Sequence, residues 1–199
     1  MAKKSDIPRR IVDAALSLAA QQGWRDTSLV DIAEEAGISL AELHGHYSSK
    51  SAIVRAYQRR IDGAMLARED PERAEQSPRD RLFDVVMSRF DVLQTNKEAI
   101  RAILRDSVCD PVSALCAGPS FLGSMGWMLE AAGIPRTGCL GRLRSKGLAV
   151  LYLIVLRVWL DDDSEDLART MSALDKQLRR ADSLMSLFVR QRRSMVAEA

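Results

Sequence analysis

Histidine is scarce in this 199-residue chain: there are two, His44 and His46, and the last 150 or so positions contain none. That removes the commonest general acid or base from most of the protein. No G-x-S-x-G elbow, phosphate-cradling glycine loop or dinucleotide fingerprint is present, so no catalytic residue and no cofactor is assigned. The three cysteines, Cys109, Cys116 and Cys139, have no C-x-x-C spacing. An odd count without metal-ligand spacing excludes a disulfide framework and suits reduced thiols in a cytoplasmic protein. Long apolar runs are lacking too. The longest, Gly147 to Val155, extends to Leu160 only across Arg157, too short for a membrane span. The polar start MAKKSDIPRR precedes no apolar signal segment. Charge of one sign is also missing, with 29 basic against 27 acidic residues. A nucleic-acid partner must therefore be argued from local charge.

What remains is helix. No stretch alternates as a strand would, and apolar residues recur at helical spacing throughout. The spacing predicts a first helix from Asp6, with Pro8 in its first turn, to Gln22, stopped by Gly23. A short second helix begins at Thr27 or Ser28, where Ser28 and Asp31 have capping-box spacing. Ser39 opens a third, with Glu42 three residues on as its capping-box partner, and Leu43 and Tyr47 facing the core. Ser48 or Ser49 caps a fourth, from Lys50 to about Ala67. Arg68–Gln76 reads as a connector. Helices follow from Ser77-Pro78 to Leu93 and from Asn96 to Val108. Proline breaks across Asp110–Gly141 predict short helices, one of them Leu122–Ala132. Two long helices close the chain, about Cys139–Leu160 and Ser164–Arg190. The last carries Leu167, Met171, Leu174, Leu178, Ala181, Met185 and Phe188 at alternating steps of four and three, a seam for another helix. The fold class is all-α.

Two short helices joined by a tight glycine turn, EEAGIS, are a helix-turn-helix signal. Gly37 supplies the positive φ of the turn, Ala33 permits close approach, and Ile38 and Leu43 pin the pair to the first helix. Positions 40, 41, 44 and 45 then face outward to a groove.

The stretch GWRDTSLVDIAEEAGISLAELHGHYSSKSAIV resembles the DNA-binding signature of the TetR family of bacterial regulators. Gly23, Trp24, Thr27, Ser28, Ile32, Ala33, Ala36, Gly37, Ser39, Leu43, His46, Tyr47 and Lys50 carry the likeness. The resemblance implies a TetR-like dimer with a helix-turn-helix head over residues 1–55 and a helical ligand-binding and dimerisation domain over 56–199. It implies double-stranded DNA as partner, with Thr27, Ser28, Ser39, His44, His46, Tyr47 and Lys50 on phosphates and Leu40, Ala41 and Gly45 near base edges. The last two helices would form the homodimer interface. Three positions depart from the family pattern: His44 stands for the usual Tyr, Leu40 for Lys, Arg or Pro, and Glu42 for a small hydroxyl residue. Gly45 weakens its helix by about 1 kcal/mol against Ala. Five acidic residues and no base lie between Asp26 and Glu42. Basic residues gather at the edges instead, in Lys3, Lys4, Arg9, Arg10, Arg25, Lys50 and Arg55, and are available to phosphates.

In the C-terminal part, Phe83, Met125, Met128, Tyr152 and Arg157, with Trp127 and Trp159, are candidates to line a pocket for a small apolar ligand. Core packing explains the Met and Trp residues equally well. His44 and His46, two apart on a helix, point in different directions, and no metal site is assigned. WLDDDSEDLARTMSALDKQLRRADSLM, Trp159 to Met185, is similar to the lipid-binding accessory proteins of ubiquinone biosynthesis (Coq-nine type). That implies an alternative: an isoprenoid-lipid binder of quinone metabolism on the same fold.

Overall fold

The computed structural model describes residues 6–68, 75–107 and 111–197, with backbone alone at 107, 111–117 and 184–197. Lys3, Lys4 and Cys109, and the side chains of Cys116, Met185 and Phe188, lie outside the described residues. Those residues form helices without strands: α1 (Ile7–Gln22), α2 (Leu29–Glu35), α3 (Leu40–His46), α4 (Lys50–Leu66), α5 (Pro78–Gln94), α6 (Lys97–Ser107), α7 (Pro111–Ala131), α8 (Gly138–Leu160) and α9 (Ala168–Ala197). They fall into two compact units, Met1–Glu69 with Ser88–Ser124 and Asp70–Met87 with Met125–Ala199.

In the first unit α1 is the hub, packing on α2, α4 and α6. Its stripe of Ile11, Ala15 and Ala19 is fully or almost fully buried, and Ile32, Leu43 and Ile53 close on it from the next three helices. Local sequence fixes the helix ends. Ser28 and Asp31 make a complete capping box, the hydroxyl of Ser28 accepting from the Asp31 amide while the Asp31 carboxylate accepts from the Ser28 amide. Ser39 accepts from the Glu42 amide and Ser49 from that of Ala52. Gly37 turns the chain at φ 63°, and Arg10 of α1 donates to the Ala36 carbonyl beside it.

The same unit buries an ionic cluster. Arg89 is 3% exposed and pairs with Asp62 of α4, whose second oxygen accepts from Ser124 of α7 at 2.7 Å. A buried guanidinium without a carboxylate would cost several kcal/mol, on the order of 3–5. The cluster thus ties α4, α5 and α7 at one point.

The second unit is built on α8 and α9. Trp159, Val155 and Tyr152 of α8 are buried with Leu174 and Leu178 of α9. The α9 seam is Thr170, Leu174 and Leu178, with Leu167 buried just before it; Met171 is 41% exposed, so it stands on the outer face rather than in the expected seam. α9 begins at Ala168 and not at Ser164. Asp162, fully buried, accepts from the Ser164 hydroxyl and amide and from the Thr170 hydroxyl and amide. That knot holds the link in a turn, with Leu167 at φ 53°. The other difference is α7, one helix of 21 residues through Pro119, where short helices were expected. A proline removes one backbone donor but does not end a helix whose neighbouring turns still pair.

Candidate nucleic-acid interface

The helix-turn-helix leaves one face of α3 bare. Ser39, Leu40, Ala41, Glu42, His44, Gly45 and His46 are all exposed, while Leu43 alone points inward. Ser28 joins them as the exposed cap of α2. Seven of the ten residues expected to meet DNA, Ser28, Ser39, Leu40, Ala41, His44, Gly45 and His46, therefore lie open. His44 and His46 sit in the last turn of α3.

The other three are turned inward. Thr27 is 2% exposed and its hydroxyl donates to the Gly23 carbonyl at 2.7 Å. Tyr47 is half-buried, its hydroxyl donating to the Pro8 carbonyl at 3.4 Å. Its burial raises the phenol above its ordinary value, against the opposing pull of Arg59 and Arg60. Lys50 reaches back under the α1–α2 loop. Its ammonium donates to the Thr27 carbonyl at 2.5 Å and to that of Trp24, and lies 4.5 Å from the Trp24 ring centre. Burial lowers the Lys50 ammonium, while Asp106, Asp26 and Asp31 pull the other way. Thr27 and Lys50 thus hold the loop in the DNA-free protein, and their expected phosphate contacts would have to be made from these positions. Their donors already have carbonyl partners, which a phosphate would have to displace.

A residue invisible in the sequence completes this loop. Asp106, at the end of α6, accepts from the Arg25 amide at 2.7 Å. That bond is the first reason its carboxyl lies below the ordinary range. Lys50 from one side and Asp106 from the other hold Gly23–Thr27, the segment that delivers the chain to α2.

The electrostatics of the bare face are mixed. The Glu42 carboxylate makes no return bond to Ser39 among the described residues, so the expected second capping box is a single bond and Glu42 stays open beside Ala41. Asp31, by contrast, is held below the usual carboxylate range, first by the Ser28 amide and then by its hydroxyl. Of the edge bases, Arg10 is spent on Ala36 and Arg9 pairs loosely with Asp13 at 3.6 Å; the Arg25 side chain is exposed.

The residues expected to line an apolar pocket divide. Met125, Met128 and Tyr152 are buried, Phe83 is half-buried, and Arg157 is exposed on α8. The register of the helix sends Arg157 outward while Trp159 and Tyr152 face inward. Trp127 is 47% exposed and stacks with Arg136 at 5.1 Å. Among the described residues no group of three or more His, Cys, Asp or Glu is placed to hold a metal, and no helix is long and apolar enough to cross a membrane.

Known proteins share both the head and the architecture. Residues 11–57 match the family model for bacterial regulatory proteins, tetR family. Over 103 residues the chain is 29% identical to the HTH-type transcriptional regulator BetI of Brucella anthropi, covering 48% of this chain and 50% of that one. BetI of Cronobacter sakazakii is 31% identical over 100 residues. The chain spans about half the length of these curated relatives. A TetR transcriptional regulator from Nitrosomonas europaea superposes with a TM-score of 0.72 at 25% identity, over 88% of this chain and 97% of that one. FadR of Thermus thermophilus, a TetR-family repressor solved with lauroyl-CoA, has a TM-score of 0.60 at 20% identity, over 86% and 91%; at that identity the likeness is one of fold. The likeness of residues 159–185 to ubiquinone accessory proteins gains no support from these relatives, and the Asp162 knot gives part of that motif a local structural role. The chain thus has the TetR fold, and its residues 11–57 are similar to the helix-turn-helix segment of the bacterial regulatory proteins, tetR family.

Proposed function

We propose that this protein is a dimeric, DNA-binding transcriptional regulator of TetR type, acting in the cytoplasm as a repressor that a small apolar ligand modulates. The observation that carries the reading is the bare face of α3 in a domain that matches the tetR family over residues 11–57. Leu40, Ala41 and Gly45 would approach base edges, with Ser28, Ser39, His44 and His46 on phosphates. Tyr47 would reach a phosphate only by giving up its bond to Pro8. Thr27 and Lys50 act at one remove, by holding the loop that places α2.

Residues 1–55 would then read DNA, and 56–199 would bind the ligand and dimerise. The ligand site is argued from Met125, Met128, Tyr152 and Phe83, and from the acyl-CoA bound by the FadR of like fold. The dimer is argued from Val150, Leu153 and Ile154 on α8 and Met171 on α9, large apolar side chains 41–61% exposed. Such a patch normally marks a partner surface, and two α8–α9 pairs make a four-helix bundle.

Selection of bound fragments from the host genome, followed by footprinting, tests this. A two-fold regulator protects two half-sites centred about 10–10.5 base pairs apart, or a multiple of that. Recovery of fragments without a shared site would argue against it.

A further inference from the structure

Both helices of the helix-turn-helix end against one turn of α1. Gly37 and Ile38 close α2 with two backbone bonds, the Gly37 N–H to the Glu34 carbonyl at 2.9 Å and the Ile38 N–H to that of Ala33 at 3.0 Å. That is the Schellman pattern, which satisfies the last carbonyls of a helix. The carbonyl of Ala36, the C-cap residue itself, takes no part in the pair. Arg10, half-buried in the first turn of α1, donates to it instead. Tyr47, the C-cap of α3, donates its hydroxyl to the Pro8 carbonyl at 3.4 Å. Pro8 and Arg10 thus meet the closing residues of α2 and α3 from a single turn of helix.

Gly37 makes the approach of Arg10 possible. A first side-chain carbon at position 37 would stand 3.1 Å from Nη2 of Arg10, inside ordinary van der Waals contact. The glycine therefore serves the turn twice, through its φ of 63° and through the room it leaves for the guanidinium. The turn needs an external hold. α2 and α3 have seven residues each, and Ile32, Ala33 and Leu43 are the buried side chains within them. Helices of that length are not stable by themselves, so tertiary contacts set the angle between them.

We propose that Arg10 is a positioning residue for the DNA-reading helix: by holding Ala36 it fixes the turn between α2 and α3 against α1, and so sets the aim of Leu40, Ala41 and Gly45 before DNA arrives. This rests on the reading of α3 as the helix that meets DNA, and adds a residue that acts through the turn and not on a phosphate. Without the bond the turn samples other arrangements. Apparent affinity then falls with the fraction of molecules that keep the competent one.

Arg10→Ala and Arg10→Gln, both checked for folding by circular dichroism, are titrated with a selected genomic site across a salt series. Arg10→Ala should bind about tenfold more weakly, as when about one molecule in ten keeps the competent turn, with the salt slope unchanged. Arg10→Gln keeps an N–H donor without the charge and should recover part of the loss. It also carries the slope test if Arg10→Ala fails to fold. An arginine on a phosphate would instead lose about one unit of slope in both variants. Hydrogen exchange reads the hold without DNA. The Gly37 and Ile38 amides should exchange about tenfold faster in Arg10→Ala, while those of Leu16 and Ala19 in α1 keep their rate. Gly37→Asn tests the space, because asparagine tolerates positive φ. It should weaken binding in the wild type and add little to Arg10→Ala, since both changes disturb one contact. Wild-type affinity in Arg10→Ala, a slope lower by about one unit, or turn and α1 amides speeding up together overturns the positioning role and leaves the DNA reading standing. A wild type that binds no duplex at low salt overturns the DNA reading, and the positioning role with it.

Discussion

Asp106 accepts the backbone N–H of Arg25 at 2.7 Å, across 81 residues of chain. Through this bond the end of α6 holds the loop that leads into the helix-turn-helix. Asp106→Ala should lower the stability of the first unit by about 1.5 kcal/mol, the lower end of the range for a hydrogen bond to a charged group. It should also weaken DNA binding more than an equally destabilising change on the far side of α1. The acid side of the stability curve checks the sign. The carboxyl is held below its ordinary range when folded, so its contribution is full above about pH 4 and is lost as pH falls through the folded value. Asp106→Asn should remove that part of the acid dependence.

Lys50 separates two roles by two readouts. As a strut beneath Trp24 and Thr27, its replacement in Lys50→Ala should cost about 2–3 kcal/mol in thermal or urea unfolding. The salt slope of DNA binding should then stay nearly unchanged. A phosphate contact would behave in the opposite way, losing about one unit of slope with stability intact.

Glu42 is the exposed acidic charge of α3 itself, and it works against a nucleic-acid partner. Glu42→Gln should strengthen DNA binding severalfold at low salt, and Glu42→Lys should do so further while steepening the salt dependence by about one unit. Ser39 accepts from the Glu42 backbone amide, and the Glu42 carboxylate takes no part in that bond, so melting temperature should barely change. Unchanged binding would mean that α3 does not face the phosphates.

In the second unit, burial alone would raise the Asp162 carboxyl, but the bonds from Ser164 and Thr170 outweigh it and bring it down to about 2. Stability from this group is therefore full above about pH 4 and is lost as pH falls through 2. Asp162→Ala should cost about 2–4 kcal/mol, because it orphans the Thr170 hydroxyl and frees the turn before α9. Unfolding in urea at neutral pH reads the loss directly.

How much of this was legible depended on how far apart the interacting residues stand. Ser28 with Asp31, Ser39 as a cap, Gly37 in its turn and the apolar stripe of α1 are local signals, and the head could be drawn from them. The continuous α7 was not, because Pro119 is a strong local breaker that the surrounding helix overrides. The start of α9 was misplaced because Ser164 resembles a cap, whereas its hydroxyl is held by Asp162. The inward turn of Lys50 depends on Trp24, the clamp on Arg25 on Asp106, and the buried pair of Arg89 on Asp62. None of these is separated by a helical or strand period, so no pattern in the sequence announces them. Arg157 shares α8 with Tyr152 and Trp159, and only the register of the folded helix shows that it is exposed while they are buried.

The most direct measurement is the affinity of the purified protein for a selected genomic site, titrated across a salt series by fluorescence anisotropy. The account predicts tight, site-selective binding whose logarithm falls steeply and linearly with log salt, with a slope of several units. A protein that binds neither that site nor random duplex at the lowest salt would contradict it, and would leave the helix-turn-helix as a scaffold only.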